Sequence, residues 1–365
     1  MKSGTEDGTD PAGTDDADVE PGGSLCCHGQ VTHAGNASAS RGQVSVLPVT
    51  WTPWQQAWNR ALYGEGGFYR QAAGPAGHFS TASQGMPQIG ELLARALLAL
   101  MDQEGLDTFV DMGCGRGELL EQVHRLGPQV RCIGVDIVAR PQLSNPIGWL
   151  QSPGGEQLPD ELDNLTDTLV FANEWLDVVP CPIAELDTDG ELREVLVNDS
   201  TGDERLGDPV SGTDRQWCQS FWSADPRVPG DRVEIGQTRD TAWDNLVSRV
   251  GSGLAIAVDY GHTVDSRPAQ GTLTGFRHGR QVLPVPDGSC DLTAHVAMDS
   301  LTHDELMDQR TTLRQLGVSG QIPPHDLARS HPAAYLRGLS TASAATALTA
   351  KGGLGDFLWA FSHAR

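Results

Sequence analysis

The chain has 365 residues, 38% of them hydrophobic, and a formal net charge of −23, so it can bury a sizeable core in one large domain or two of ordinary size. That acidity argues against nonspecific nucleic-acid binding and against docking on anionic membrane, both of which need Lys and Arg to meet phosphates. No apolar run approaches the 18 residues of a membrane span, and the acidic N-terminus lacks the basic-then-apolar pattern of a secretory signal.

Residues 1–45 are rich in Gly, Asp, Ser and Thr and predict a disordered acidic tail. Residues 46–105 predict a helical segment on the substrate side. In it Trp51, Trp54 and Trp58 fall at i, i+3 and i+7, one helical face that reads as core anchors. A glycine-rich loop, "GPAGHFSTASQG", then precedes a long apolar helix. "TFVDM" at 108–112 reads as a buried strand, and "ELLEQVHRL" at 118–126 as a helix stopped by Gly127. "RCIGVDI", "IGWLQ" and "DTLVFANEW" continue the alternation and predict a doubly wound α/β sheet. "CPIAELDTDGELREVLVND" alternates instead around Asp189–Gly190, the pattern of a β-hairpin, and residues 182–235 are expected to be an insertion. "TAWDNLVSRVGSGLAIAVDYG" returns to helix, glycine stop and a buried strand ending at Asp259. The main domain is therefore expected over 106–181 and 236–365. Seven cysteines without a C-x-x-C pair predict a reduced, cytoplasmic chain with no metal site, since Cys26–Cys27–His28 lacks zinc-ligand spacing.

The first chemical stretch is "VDMGCGRGELL", residues 110–120. A strand, a glycine turn and a helix place bare N–H groups and a helix N-terminus beside a ligand, and glycine lets it approach the main chain. The dinucleotide fingerprint needs a third glycine where this chain has Glu118, an acid that would face a pyrophosphate. Gly113, Gly115 and Gly117, led by Asp111 and enclosing Cys114, suit S-adenosylmethionine, which has no phosphate and carries a sulfonium and an ammonium. Asp136, 23 residues after Gly113, ends the next strand beside Ile137 and can accept hydrogen bonds from both ribose hydroxyls.

The second stretch, "LVFANEWLDVVP" at 169–180, delivers Asn173 and Glu174 at a strand's carboxyl end, with Asp177 three residues on. Ligands of open α/β sheets sit at such ends. The same residues also read as a helix cap with acids in the first turn. Asp259, Tyr260 and Gly261 read as substrate-channel wall or as a loop turn. His295 and Asp291 read as a proton acceptor or substrate contact, or as hydrogen-bonded structural groups.

In order along the chain, "GHFSTASQ", "VDMGCGRGELL", "ANEWLDVVP", "VDYG", "GTLTGFRHGR", "CDLTAHV" and "GLGDFLWAF" together resemble the MidA-like methyltransferases, over residues ~50 to 365. That family includes the mitochondrial complex I assembly factor that methylates an arginine. The resemblance implies a Rossmann-like class I methyltransferase fold with an N-terminal helical segment and an inserted hairpin-containing subdomain. It implies S-adenosyl-L-methionine as donor, with Phe79 and Thr81 covering it. It implies a protein substrate with a cationic acceptor side chain, arginine first. Glu174 is then expected to orient the acceptor and take its proton, with Asp177 assisting, Asn173 positioning substrate or the donor's methionine part, and His295 in contact. Two departures fall on the loop: Ser83–Gln84 replaces a proline-glutamate pair, and His78 an aspartate. A small-molecule methyltransferase, or a non-catalytic assembly protein that keeps the cofactor fold, are the competing readings.

Overall fold

The computed structural model describes residues 50–71, 87–222 and 228–364. A short strand, Trp51–Pro53, leads into helix α1, Trp54–Tyr63, whose buried residues Trp54, Ala57, Trp58, Ala61 and Leu62 recur at helical spacing. Trp51 departs from the expected helical face. Pro53 disfavours helical backbone at the residue before it, so the chain stays extended through Thr52 and the helix starts only at Trp54. Trp51 instead packs beneath Arg205, whose guanidinium lies 4.7 Å from its ring centre.

Helix α2, Pro87–Glu104, leads into β1, Thr108–Met112, followed by α3, Glu118–Leu126. Strands β2, Arg131–Asp136, β3, Gly148–Gln151, β4, Thr168–Asn173, and β5, Gly253–Asp259, run parallel to β1. Strands β6, Glu305–Asp308, and β7, Leu358–Ala364, close one edge, with β7 antiparallel to both β5 and β6. The sheet order is β6-β7-β5-β4-β1-β2-β3. From β1 the chain winds outward through β2 and β3, then returns to build β4 and β5 on the other side. The carboxyl ends of β1 and β4 therefore flank the point where strand order reverses, which is where open α/β sheets bind ligands.

The central strands are apolar throughout because helices cover both faces. Alternate residues divide between two cores. Phe109 and Phe171 join Leu97, Leu120 and Leu348 under α2, α3 and the helix Pro332–Leu348. Val110 and Val170 join Trp175, Trp243 and Leu246 under the helix Gln237–Ser248.

Between β4 and β5 the chain builds a second sheet. Ile183–Leu186 and Leu192–Asn198 form the expected hairpin, with Gly190 in the left-handed region its turn needs. Arg232–Glu234 pairs on one side, while Trp51–Pro53 and Glu204–Pro209 both pair with Leu192–Asn198. Helix α1 packs on this sheet through Trp54 and Trp58, against Ile183, Val195 and Val197, and also touches Leu292. A three-stranded sheet of Thr274–Arg277, Arg280–Val282 and Asp291–Thr293 completes the wall. Among the described residues no helix is long and apolar enough to cross a membrane.

Candidate active site

The turn after β1 shows why three glycines alternate. Gly113, Gly115 and Gly117 have φ of 71°, 59° and 79°, a conformation that costs an L side chain about 1–2 kcal/mol each. The Gly113 N–H donates to Val135 O at 2.9 Å, tying the turn to β2, and the Gly117 N–H donates to Cys114 O at 2.9 Å. Helix α3 then begins with Glu118 and Glu121 in its first turn and ends with His124 and Arg125 in its last, matching its dipole.

Asp136 ends β2 beside this turn. Its Oδ2 accepts the Gly115 N–H at 2.7 Å and its Oδ1 accepts the Val138 N–H at 3.1 Å. Burial pushes its carboxyl up to about 6, with these N–H bonds opposing. Gly113, Gly115, Asp136 and Ile137 all line one cavity of about 1020 Å³. Asp111, Cys114 and Gly117 do not reach the cavity wall. Asp111 is buried in β1, and burial, followed by Asp136 and Glu118, holds its carboxyl well above the usual range. Cys114 is a buried thiol, also raised by burial, with its Sγ packed toward Gly134. Phe79, Thr81, His78, Ser83 and Gln84 lie outside the described residues.

The carboxyl end of β4 supplies the same cavity with Glu174 and Asp177. Glu174 has φ of 51°, uncommon for a non-glycine residue, and its Oε1 accepts the Asn173 amide at 3.1 Å. Asn173 does not line the cavity; its contact is with Glu174. No helix starts there, so the cap reading has no helix to cap. Asp177 is the more deeply set acid. Its Oδ2 accepts Thr293 Oγ1–H at 2.6 Å and the Tyr260 hydroxyl, while its buried Oδ1 has no partner among the described residues. Burial raises its carboxyl, and the two hydroxyls and Arg239 oppose that.

Beneath this wall Asp259 is buried at the end of β5, and its Oδ2 accepts the N–H groups of Leu176 and Asp177, both at 3.1 Å. Asp259 therefore braces the loop while its neighbour Tyr260 lines the cavity. Burial, then Asp177 and Glu174, hold its carboxyl well above the usual range. Arg239, 1% exposed, donates to Val179 O, His295 O and Asp177 O at 3.0, 2.8 and 2.9 Å. One buried cation thus ties the Asp177 loop to the His295 segment. His295 lines the cavity with its ring edge-on to Tyr260, centres 5.2 Å apart. Desolvation, then Arg239, hold its ring below the usual histidine value.

The rest of the wall comes from the end of α1 and the segment after it, whose tyrosines carry no catalytic signature in the sequence, and from the "GTLTGFRHGR" and "CDLTAHV" blocks, where Asp291 is already a candidate. Tyr63 at the end of α1 donates to Val178 O at 2.9 Å, and Tyr69 donates to Asp291 Oδ1 at 2.7 Å. Thr272, Thr274 and Thr293 also line the cavity. Asp291 and Thr293, two apart on one strand, share a face, which is the legible signal for Thr293 beside the candidate Asp291. Burial pushes the Asp291 carboxyl up to about 8; the Tyr69 bond lowers it and Asp177 raises it. The described residues hold no cluster of three or more His, Cys, Asp or Glu able to bind a metal.

A parallel sheet with an antiparallel β7, a glycine turn at its reversal point and an acid at the end of β2 define a class I methyltransferase fold. The comparisons with known proteins agree. A family model described as S-adenosyl-L-methionine-dependent methyltransferase matches residues 120–318, and an O-methyltransferase domain model matches residues 50–142. The chain belongs to that S-adenosyl-L-methionine-dependent methyltransferase family. A crystal structure of an uncharacterised COG1565 superfamily protein from Burkholderia thailandensis is similar at 21% identity and TM-score 0.66, covering 86% of this chain and 87% of that one. A COG1565 superfamily member from the same organism, bound to S-adenosyl-homocysteine, is similar at 22% identity and TM-score 0.66, covering 85% and 87%. These neighbours bear out the MidA-like resemblance and the fold. No curated protein matches the chain. The protein is an enzyme that uses S-adenosyl-L-methionine as methyl donor.

Proposed function

We propose that the enzyme methylates a protein side chain, and that the side chain is a cationic nitrogen, arginine first. The observation that carries this reading is the set of acids that line the cavity, Asp291 among them once a cation ionises it. Asp136, Glu174, Asp177 and Asp291 all line it, with Asp259 just behind. Two arginines also line it, Arg116 and Arg70, and Arg70 is occupied with Tyr63 O at 2.7 Å and Pro153 O at 3.1 Å. Such a cavity favours cations over anions. The structural neighbour bound to S-adenosyl-homocysteine supports a donor of that kind here.

The residues fit the cofactor. The left-handed turn keeps Cβ atoms away from the main chain, and the cavity is large enough for a nucleoside with an amino-acid tail. Gly113, Gly115, Asp136 and Ile137 would hold it, with Asp111, Cys114 and Gly117 shaping the turn from behind. When bound, it supplies an electrophilic methyl group on a sulfonium. The chain's own task is then orientation, which is worth of order 7–11 kcal/mol in well-aligned reactions. A guanidinium is always protonated in water, so its reacting nitrogen must lose a proton. Glu174 orients that nitrogen and accepts the proton, Asp177 assists, Asn173 holds Glu174 in place, and His295 contacts the acceptor.

Calorimetric titration of S-adenosylmethionine, with Asp136→Ala and NAD as controls, tests the cofactor side. Saturable binding that Asp136→Ala loses is expected. Transfer from methyl-tritiated S-adenosylmethionine into proteins of a cell lysate, followed by mass spectrometry for methylarginine, tests the acceptor. Label confined to small molecules would replace the protein reading with the small-molecule one. Glu174→Gln is expected to bind donor normally and transfer at least about 100-fold more slowly.

A further inference from the structure

Two carboxyls in this cavity are built alike, and neither is explained by donor binding. Asp177 Oδ2 is held by the hydroxyls of Tyr260 and Thr293, and Asp291 Oδ1 by the hydroxyl of Tyr69. Both side chains are 4% exposed and both line the cavity. Their supports come from three separate places: the turn after α1, the residue after β5 and the strand Asp291–Thr293. Thr293 links the two, since it shares a face with Asp291 and donates to Asp177. Asp177 Oδ1 is buried and makes no hydrogen bond of normal geometry among the described residues, although the Val178 N–H also favours the ionised carboxyl, and it keeps capacity for a donor from a ligand. A buried acceptor left unsatisfied costs about 1–3 kcal/mol, so something is expected to meet it.

Resting on the cation-methylating reading above, we propose that Asp177 and Asp291 form the guanidinium subsite. Tyr69, Tyr260 and Thr293 position the two carboxyls, and Asp291 releases a proton to solvent as the cation enters. A guanidinium offers five N–H donors in a planar fork and can engage two carboxyls at once, whereas an ammonium is a point charge with three. The supporting hydroxyls each occupy one oxygen and leave the carboxyl's remaining capacity for the ligand. The charge balance explains the proton. Arg239, behind the wall, offsets part of the charge on Asp177, whereas the acids Asp177 and Glu174 both disfavour charge on Asp291. The titratable and charged groups sharing the cavity with Asp291 are Tyr69, Tyr63 and Arg70 from the N-terminal segment, Arg116 and Asp136 from the glycine-turn side, Asp177 and Glu174 from the β4 loop, Tyr260 after β5 and His295 on its own segment. Burial first, then Asp177, push the Asp291 carboxyl up to about 8, so it is expected to be protonated near neutrality in the free enzyme and ionised by a bound cation.

The test uses the full chain saturated with S-adenosylhomocysteine and the probe Nα-acetyl-arginine methylamide, titrated by calorimetry and NMR from pH 6.5 to 9. Saturable millimolar binding is expected, tightening about tenfold per pH unit below the Asp291 pKa, with up to one proton released. The neutral probe Nα-acetyl-citrulline methylamide is expected to bind at least tenfold more weakly. Asp291→Asn is expected to bind the arginine probe at least tenfold more weakly at pH 9 and to lose the pH dependence. Tyr69→Phe is expected to keep binding at pH 9 while the midpoint moves to higher pH, because the lost hydroxyl favoured the ionised carboxyl; a merely structural Tyr69 would weaken binding equally at every pH. Unchanged S-adenosylhomocysteine affinity in both variants shows that they fold. No saturable probe binding, equal binding of citrulline, or an unaltered pH dependence in Asp291→Asn would overturn the subsite. Those outcomes leave methyl transfer itself standing, whereas failure of the wild-type chain to bind S-adenosylmethionine removes the reading beneath it.

Discussion

At the residue scale, Asp136 shows how a short side chain serves structure and ligand together. Both of its oxygens already accept backbone N–H groups, which fixes the carboxylate beside the glycine turn. Ribose hydroxyls would use its remaining lone pairs, and they need the ionised form as acceptor. With its carboxyl pushed up to about 6 by burial, S-adenosylmethionine affinity is expected to be flat above that pH and to fall toward tenfold per unit below it. Calorimetry at pH 5, 6, 7 and 8 checks this, and affinity unchanged at pH 5 would contradict it. Asp136 was legible in the sequence because strand-terminal acids announce themselves at a fixed distance from a glycine turn. Tyr69 was not, because nothing in "GGFYRQ" marks a tyrosine whose partner is 222 residues away.

At the element scale, two close contacts decide whether the site has walls. The first is the start of β5, where Gly253 has φ of 132° and an added Cβ would stand 2.1 Å from Thr168 O on β4. That backbone cannot yield without breaking the β4–β5 pairing that carries Glu174 and Asp259. Gly253→Ala is expected to destabilise by more than the roughly 1–3 kcal/mol of backbone strain alone, read as a lower urea midpoint. The second is α1, which holds the Asp291 strand through Trp58, fully buried, with its Nε1–H donating to Leu292 O at 3.0 Å. Trp58→Ala is expected to cost about 3–5 kcal/mol and to weaken the arginine probe more than the donor, because the wall that shifts is the acceptor's. Equal losses for both ligands would count against that division. Helical spacing made α1 readable through Trp54 and Trp58, but Pro53 sets its start, so Trp51 went to the strand.

At the scale of the whole molecule, the fold buries more carboxyls than it pairs. Near neutrality the sign of the pH dependence follows from Asp291. Its carboxyl is raised from 3.8 to about 8, so above pH 3.8 the unfolded chain has shed a proton that the folded chain keeps. Stability falls as pH rises through that window. His262 acts oppositely: its ring is lowered from 6.5 to about 3 by burial and Arg267, so it makes stability rise with pH, but only below 6.5. Asp136 and Asp240, each raised to about 6, also finish titrating by then. Between pH 6.5 and 8 the thermal midpoint of the free enzyme is therefore expected to fall, and Asp291→Asn is expected to flatten that slope. A midpoint that rises over this interval in the wild-type chain would refute the account.

The sequence by itself determined the sheet and the donor side of the site. Strands, the glycine turn and Asp136 are local features, written in runs of fewer than a dozen residues whose periodicity and backbone demands can be read without knowing the fold. The hairpin between β4 and β5 was legible for the same reason. Only the tertiary structure decided the acceptor side. It joined Tyr69, Asp177, Tyr260 and Asp291 across more than 200 residues of chain, set Asp259 and Arg239 behind them as braces, and turned Asn173 toward Glu174 instead of the cavity. Such a wall depends on which faces of four separate elements meet, and that is fixed by packing of apolar residues such as Trp54, Trp58 and Trp175, whose own patterns say only that they are buried.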